Sequence, residues 1–318
     1  MSDGFRPERL RVLFMGSPEF AVPSLRALVA AGYNLVGVVT QPDRPSGRGG
    51  KMTPPPVKVS AEELRVPVFQ PEELRSDEAF ARLQAFAPDL VVVAAYGKIL
   101  SRRVLQLPTH GAVNVHASLL PRWRGASPIN AAILAGDAET GVSIMEMVQK
   151  MDAGPVLARE AVTISSDATT GTLEPVLADL GARTLVDVLP AWLSGKLHAE
   201  PQDEARVTFC SLIKKQDGFL AATMTAAEAE RAVRAFDPWP GAFVLYRGDR
   251  LAIWRARVLP AAEVEPGATS IIERLPALGF RDGWLLLDEV QRVGARRVDG
   301  RAFLNGERGA FAGEVVLA

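Results

Sequence analysis

Three short apolar runs joined by segments of helical periodicity constrain what this chain can fold into more than any other feature. Leu10 to Met15, Asn34 to Thr40 and Asp89 to Ala94 are almost unbroken in apolar residues, as expected of strands covered on both faces. Between the first two, Gly16-Ser17-Pro18-Glu19 turns the chain into a helix that runs to about Ala31 and collects Val22, Leu25, Leu28 and Val29 on one side. A strand, a crossover helix and a second strand make a βαβ unit, which predicts an α/β fold with a Rossmann-like, mostly parallel sheet. Val66 to Phe69 reads as a further short strand and Glu72 to Phe86 as an amphipathic helix. The first turn lacks Gly-x-Gly-x-x-Gly, and Pro18 and Glu19 stand where backbone amides would meet a pyrophosphate. A nicotinamide cofactor is therefore not expected.

The stretch Val113 to Gly125 sets one of three histidines at the end of another apolar strand. Alternation from Ala112 to His116 puts Asn114 and His116 on one face, because side chains in a strand repeat every two residues. Ser118, Leu119, Leu120 and Pro121 follow as a loop leaving the carboxyl edge of the sheet, where open α/β sheets hold their ligands. Ala126 to Leu134 is predicted to be a helix, and Thr140 to Met147 and Val156 to Ile164 strands of an antiparallel extension. The Gly- and Pro-marked loop between them carries Met151-Asp152-Ala153-Gly154-Pro155, and Thr169 to Leu193 reads as a long helix. Singly, each polar residue has an ordinary reading: a histidine satisfied by a carbonyl, a capping asparagine, a turn aspartate. Together they are far harder to explain that way.

Asn-x-His-x-Ser-Leu-Leu-Pro followed by Asp-x-Gly resembles the folate-dependent formyltransferases. The resemblance implies a formyltransferase fold, 10-formyltetrahydrofolate as co-substrate, no metal, and catalytic roles for Asn114, His116 and Asp152. Formyl transfer from a tertiary amide-like nitrogen to a primary amine passes through a tetrahedral intermediate. Asn114 offers an N–H donor for the oxyanion. His116 either relays the proton between the two nitrogens or donates as imidazolium to the oxyanion. Asp152 either orients the imidazole and favours its charged form or joins the proton transfer through water. The same resemblance puts Ser118, Leu119, Leu120 and Pro121 against the folate, whose flat pteridine suits an apolar loop.

The segment Gln41 to Lys58 holds five prolines and three glycines, with Arg44, Arg48, Lys51 and Lys58 against the single acid Asp43. It cannot be helix or central strand; taken alone it reads as a solvated surface loop, while its length and charge suit a phosphate-contacting arm. Thr-Gln-Pro-Asp-Arg-Pro-x-Gly-Arg-Gly resembles the insertion by which methionyl-tRNA formyltransferases engage the acceptor end of initiator tRNA. That implies tRNA contacts for Arg44, Arg48 and Lys51, with Arg48 matching the family's arginine.

After the long helix the composition changes. Residues 1–193 read as the catalytic domain with the basic insertion at 41–58, the polar residues 194–206 as a linker, and 207–318 as a smaller domain. The last contains a helix from Ala226 to Ala235, the turn Asp237-Pro238-Trp239-Pro240-Gly241, and β-like runs at Ala242 to Tyr246, Leu251 to Val258 and Gly283 to Leu287. Many short strands with regular turns predict an OB-like β-barrel. Arg-Ala-Phe-Asp-Pro-Trp-Pro-Gly resembles the start of the family's carboxy-terminal, tRNA-binding domain. Gln216 to Leu220 departs from the family's usual acidic run, and the tail after Arg301 looks short. This half carries 15 Lys and Arg against 14 Asp and Glu, so an RNA role rests on the resemblance and on Arg292, Arg296, Arg297 and Arg301 rather than on bulk charge.

With a formal net charge of −1, the chain has no global nucleic-acid signature. One cysteine, Cys210, excludes an internal disulfide and a cysteine-based metal cage. The scattered His110, His116 and His198 lack zinc spacings. Met1 to Leu10 has no apolar core of signal-peptide length and no uncharged apolar run is long enough to span a bilayer, so with a single cysteine a cytoplasmic protein is expected, and nothing demands more than a monomer. The rival readings are a formyltransferase for a small amine, such as a glycinamide ribonucleotide or an amino sugar, a formate-releasing hydrolase, and a noncatalytic RNA-binding protein.

Overall fold

A computed structural model describes residues 6–46, 50–307, 311 and 315–317. The chain divides into two compact units. One comprises Met1–Gly125, Glu139–Val162 and Glu174–Cys210, and the other Ala126–Ala138, Thr163–Leu173 and Ser211–Ala318.

In the first unit the predicted βαβ pattern is built by β1 (Arg11–Gly16), α1 (Val22–Ala30) and β2 (Asn34–Val39). The basic insertion folds into a two-stranded antiparallel ribbon, β3 (Arg44–Ser46) against β4 (Lys51–Thr53). Helix α2 (Pro56–Glu63) follows, so the expectation that nothing up to Lys58 is helical is corrected. Pro56 occupies the first helical position, where no N–H bond is lost and the ring's fixed φ suits the helix. The base of the insertion is held by Asp43, whose carboxylate accepts from Lys58 Nζ at 2.9 Å and Gln70 Nε2 at 2.7 Å. The Gln70 bond and then Lys58 hold that carboxyl below its ordinary pKa. The anchor is therefore present above the usual carboxylate range and lost as pH falls through the lowered value.

Next come β5 (Val68–Phe69), α3 (Asp77–Ala85), β6 (Leu90–Ala94), α4 (Arg102–Leu105), β7 (Ala112–His116), β8 (Arg124–Gly125), α5 (Pro128–Ala135), β9 (Glu139–Glu146), β10 (Val156–Thr163), α6 (Thr170–Leu193) and β11 (Phe209–Cys210). Helix α3 starts later than the apolar spacing suggests because Ser76 caps it, its Oγ accepting from Ala79 N–H at 3.1 Å. The main sheet runs β10-β9-β7-β6-β1-β2-β5. Pairing is parallel from β5 through β7 and turns antiparallel at β9. Strand order reverses at β1, and the carboxyl ends of β6 and β7 lie just beyond that switch. Leu13, Met15, Val39, Leu83, Val91 and Val93 form a core on one face.

The stretch 194–206, read as a linker, is packed into this unit. Glu200 exchanges both backbone hydrogen bonds with Val156 at 2.8 Å, and Gln202 is buried. Its polarity reflects side chains used for internal bonds rather than for solvent.

The second unit contains α7 (Ala226–Ala235), β12 (Ala242–Tyr246), β13 (Asp249–Pro260), β14 (Thr269–Ile272), β15 (Leu275–Phe280), β16 (Gly283–Arg292), β17 (Val298–Asp299), α8 (Gly300–Gly306) and β18 (Val315–Val316). The predicted small barrel is a curled antiparallel half-barrel in the order β14-β15-β16-β13-β12-β18, with β17 on β16. Register shifts between Ile253 and Ala256 bend β13. Thr225 and Glu228 form a capping box that starts α7, which buries Ala226, Ala229, Ala232 and Val233 against Phe236, Val244, Ile253 and Phe280.

Candidate functional site

β7 lies between β6 and β9, so its side chains are fixed by strands on both sides. Val113 and Val115 fill one face, and the other carries Asn114 and His116, 9% and 6% exposed. The Asn114 carboxamide on that face can offer an N–H donor to a carbonyl oxygen or oxyanion arriving there.

His116 is oriented by a group that sequence reasoning did not single out. Its Nε2 lies 2.9 Å from the backbone oxygen of Trp123. A carbonyl only accepts, so Nε2 carries the hydrogen and Nδ1 is the nitrogen left to take a proton. Asp152 Oδ2 stands 3.9 Å from Nδ1, beyond direct hydrogen bonding but close enough to compensate an imidazolium. The same Oδ2 accepts from Gly125 N–H at 2.9 Å. The three residues expected to act together are thus in one place for His116 and Asp152, with Asn114 on the shared strand face.

Two glycines make this geometry feasible. A Cβ on Gly154 would lie 1.8 Å from the Glu146 carbonyl oxygen, which accounts for the glycine two residues after Asp152. A Cβ on Gly125 would lie 2.0 Å from the Cys210 oxygen, where β8 and β11 pair, and Gly125 has φ +129°.

The loop after His116 is closed on itself. Ser118 Oγ donates to Arg122 O at 2.6 Å, and Ser143 Oγ donates to Ser118 O and accepts from Leu120 N–H. Arg159 Nε donates to Leu120 O at 2.7 Å. Leu120 packs with Met145 and Val156, so both of its backbone groups and its side chain are used internally. Leu119 and Pro121 are half-buried and keep accessible apolar surface.

Arg44 is exposed and paired with Glu72 at 2.9 Å, and Lys51 is exposed on β4. Arg48 lies outside the described residues. In the second unit, Arg292 pairs with Glu307 and lies over the Tyr246 ring, and Arg297 stacks 3.7 Å from the Trp254 centroid while approaching Asp237. Those two arginines are engaged internally, whereas Arg296 and Arg301 are exposed.

Residues 8–189 match the family described as Formyl transferase, and residues 212–308 match Formyl transferase, C-terminal domain. The chain is similar to a methionyl-tRNA formyltransferase of Methylococcus capsulatus, 47% identical over 306 residues that cover 96% of this chain and 99% of that protein. One from Roseiflexus sp. is 50% identical over 290 residues, covering 90% and 89%. Among solved structures, WlaRD, a sugar 3N-formyl transferase crystallised with dTDP and 5-N-formyl-THF, shares the fold. Its TM-score is 0.66 at 14% identity, covering 90% of this chain and 99% of that one.

Proposed function

The chain belongs to the formyl transferase family, and from that premise we infer that it transfers the formyl group of 10-formyltetrahydrofolate to the α-amine of initiator methionyl-tRNA. The single observation that carries the acceptor is likeness over nearly the whole length, both units included, to methionyl-tRNA formyltransferases. In this reading Asn114 Nδ2 donates to the oxyanion that forms when the amine adds to the formyl carbon. His116 Nδ1 takes the proton from the attacking amine and returns it to the departing folate nitrogen as the carbon–nitrogen bond breaks. Asp152 faces that nitrogen and compensates the imidazolium between the two steps. Leu119 and Pro121 offer apolar contact to the folate, while Ser118 and Leu120 hold the loop that presents them. The exposed Arg44 and Lys51, with Arg48, form the acceptor-end contact, and the second unit supplies tRNA contacts of its own. Asn114, His116 and Asp152 lie within the first unit, which supports action as a monomer, and the inferred charged-tRNA substrate supports a cytoplasmic reaction. No helix among the described residues is long and apolar enough to cross a membrane.

The direct test supplies 10-formyltetrahydrofolate with methionyl initiator tRNA, beside free methionine, an amino sugar nucleotide and uncharged tRNA. Formylation confined to the charged tRNA is expected, and Asn114→Ala should lower kcat by about 10²- to 10³-fold, the cost of one oxyanion donor. Preferred formylation of the amino sugar would overturn the acceptor, and an undiminished Asn114→Ala enzyme the role of that residue.

The insertion is tested by substrate-specific loss. Arg48→Ala should raise KM for charged tRNA several-fold and reduce the salt slope of tRNA binding by about 1, the effect of one phosphate contact. KM for the folate should stay at its wild-type value. Parallel losses for both substrates would remove the insertion from the tRNA contact.

A further inference from the structure

The least exposed large side chain in the site's surroundings is a cation. Arg124, on β8, is 0% exposed. Its Nε donates to Gln202 Oε1 at 3.0 Å and one terminal nitrogen to Glu204 Oε1 at 2.7 Å, while Nη1 is buried with no hydrogen-bond partner. A buried guanidinium with an unsatisfied nitrogen is an expensive way to fill space, since apolar side chains of similar volume often serve stability as well or better. What the arrangement achieves is seen one bond further on. Because Gln202 Oε1 faces Arg124, its amide nitrogen must point the other way, and Nε2 donates to the backbone oxygens of Asp152 at 2.8 Å and Gly154 at 2.7 Å.

We propose that Arg124 and Gln202 are positioning residues that set the Asp152 carboxylate opposite His116. Asp152 has φ +49°, a left-handed backbone that is uncommon for L residues although Asp tolerates it better than most. Gln202 holds it from the backbone side by bonding both carbonyls of the Asp-x-Gly turn. Arg124 fixes which end of the Gln202 amide does so. Three consecutive residues then set the pair of reacting side chains. The carbonyl of Trp123 takes the imidazole N–H, the Arg124 side chain orients the turn through Gln202, and the N–H of Gly125 takes the Asp152 carboxylate. The tripeptide is itself pinned by Thr208, which accepts from Trp123 N–H and from Arg124 N–H at 2.9 Å, and by the pairing of β8 with β11. The stretch from Gln202 to Cys210 therefore helps to position the reacting groups. A displacement of about 1 Å in such a group costs roughly 10²-fold in rate.

This inference rests on the proposed roles of His116 and Asp152, and the test separates the two. Gln202→Glu keeps an oxygen, and a charge, for Arg124 but has no N–H for the two carbonyls. A merely structural role for Gln202, satisfying Arg124, would be met or improved by it. We expect the full-length Gln202→Glu and Gln202→Ala proteins to lose kcat by about 10- to 100-fold. KM for both substrates should stay within twofold and the pH profile of kcat should shift, each read on the folded fraction of the variant. In an Asp152→Asn background the same substitutions should cost little more, because the group they position is already gone. Wild-type kcat and pH profile in Gln202→Glu beside a crippled Asp152→Asn, or full additivity of the two, overturns the positioning role alone. Wild-type turnover by Asp152→Asn overturns the site reading and this inference with it.

Discussion

His116→Ala will reduce kcat for formyl transfer by about 10²- to 10⁴-fold, the range associated with a positioned general acid–base group, while both substrates still bind. The ring is held by the Trp123 carbonyl on Nε2 at the end of β7, and it is not among the residues that form the apolar core on that face of the sheet. Its loss should therefore spare the fold. The proton path runs through Nδ1, and a methylated or glutamine ring substitute cannot restore it. His116→Gln is the sharper control: its amide can keep a hydrogen bond to Trp123 O but cannot take and return a proton. Equal, large losses in Ala and Gln identify proton transfer as the contribution. Recovery of most of the rate in His116→Gln would assign the residue to oxyanion donation instead, and an unaffected kcat in both would take the imidazole out of the mechanism.

Gly125→Ala should be strongly destabilising, because among the described glycines of the first unit Gly125 combines a contact under 3 Å with a positive φ. The new Cβ would stand 2.0 Å from the Cys210 oxygen and 3.2 Å from its Sγ, and the backbone there is at φ +129°. Left-handed strain and overpacking together predict a loss of about 3 kcal/mol or more, or a fall in melting temperature of roughly 6 to 12 °C for a unit of this size. Gly195→Ala is the matched control, with φ +72° and nothing within 4 Å of the added carbon, so it carries the backbone strain alone and should cost about 1 kcal/mol. Turnover should separate them as well. Relieving the clash pulls β8 from β11 and moves the Gly125 N–H away from Asp152, so kcat falls in the folded fraction of Gly125→Ala and holds in Gly195→Ala. Thermal unfolding with both variants decides the matter: equal melting temperatures would mean that β8 and β11 do not approach as closely as the 2.0 Å contact requires.

Much of the first unit was legible because its strands are covered on both faces. Leu90–Ala94 is apolar at every position for that reason, and the alternation of Ala112–His116 follows from valines packed on one side and two polar groups on the other. The helix Ala226–Ala235 was legible to the residue because its cap, its capping glutamate and its apolar spacing agree. Elsewhere local signals competed. Apolar spacing alone drew α3 back to residue 72, and Ser76 decided its start. Proline density argued against any helix before residue 59, yet a proline at the first helical position costs the helix nothing. In the second unit, β14 and β15 were not read: the Thr269–Ile272 strand is too short to show a period, and Leu275–Phe280, buried throughout, lacks alternation.

The sequence by itself determined the βαβ order, the face shared by Asn114 and His116, and the Asp-x-Gly turn that carries Asp152, since each is a local pattern of side-chain type and spacing. Tertiary structure alone decided what orients those groups. The Trp123 carbonyl and the Gly125 N–H are backbone atoms that every residue possesses, so no residue type announces them. Gln202 bonds Asp152 across 50 positions of chain and Arg124 across 78, in a stretch whose polarity reads as solvent exposure. A hydrogen bond depends on where two atoms come to lie, and over such separations only the folded chain sets that distance.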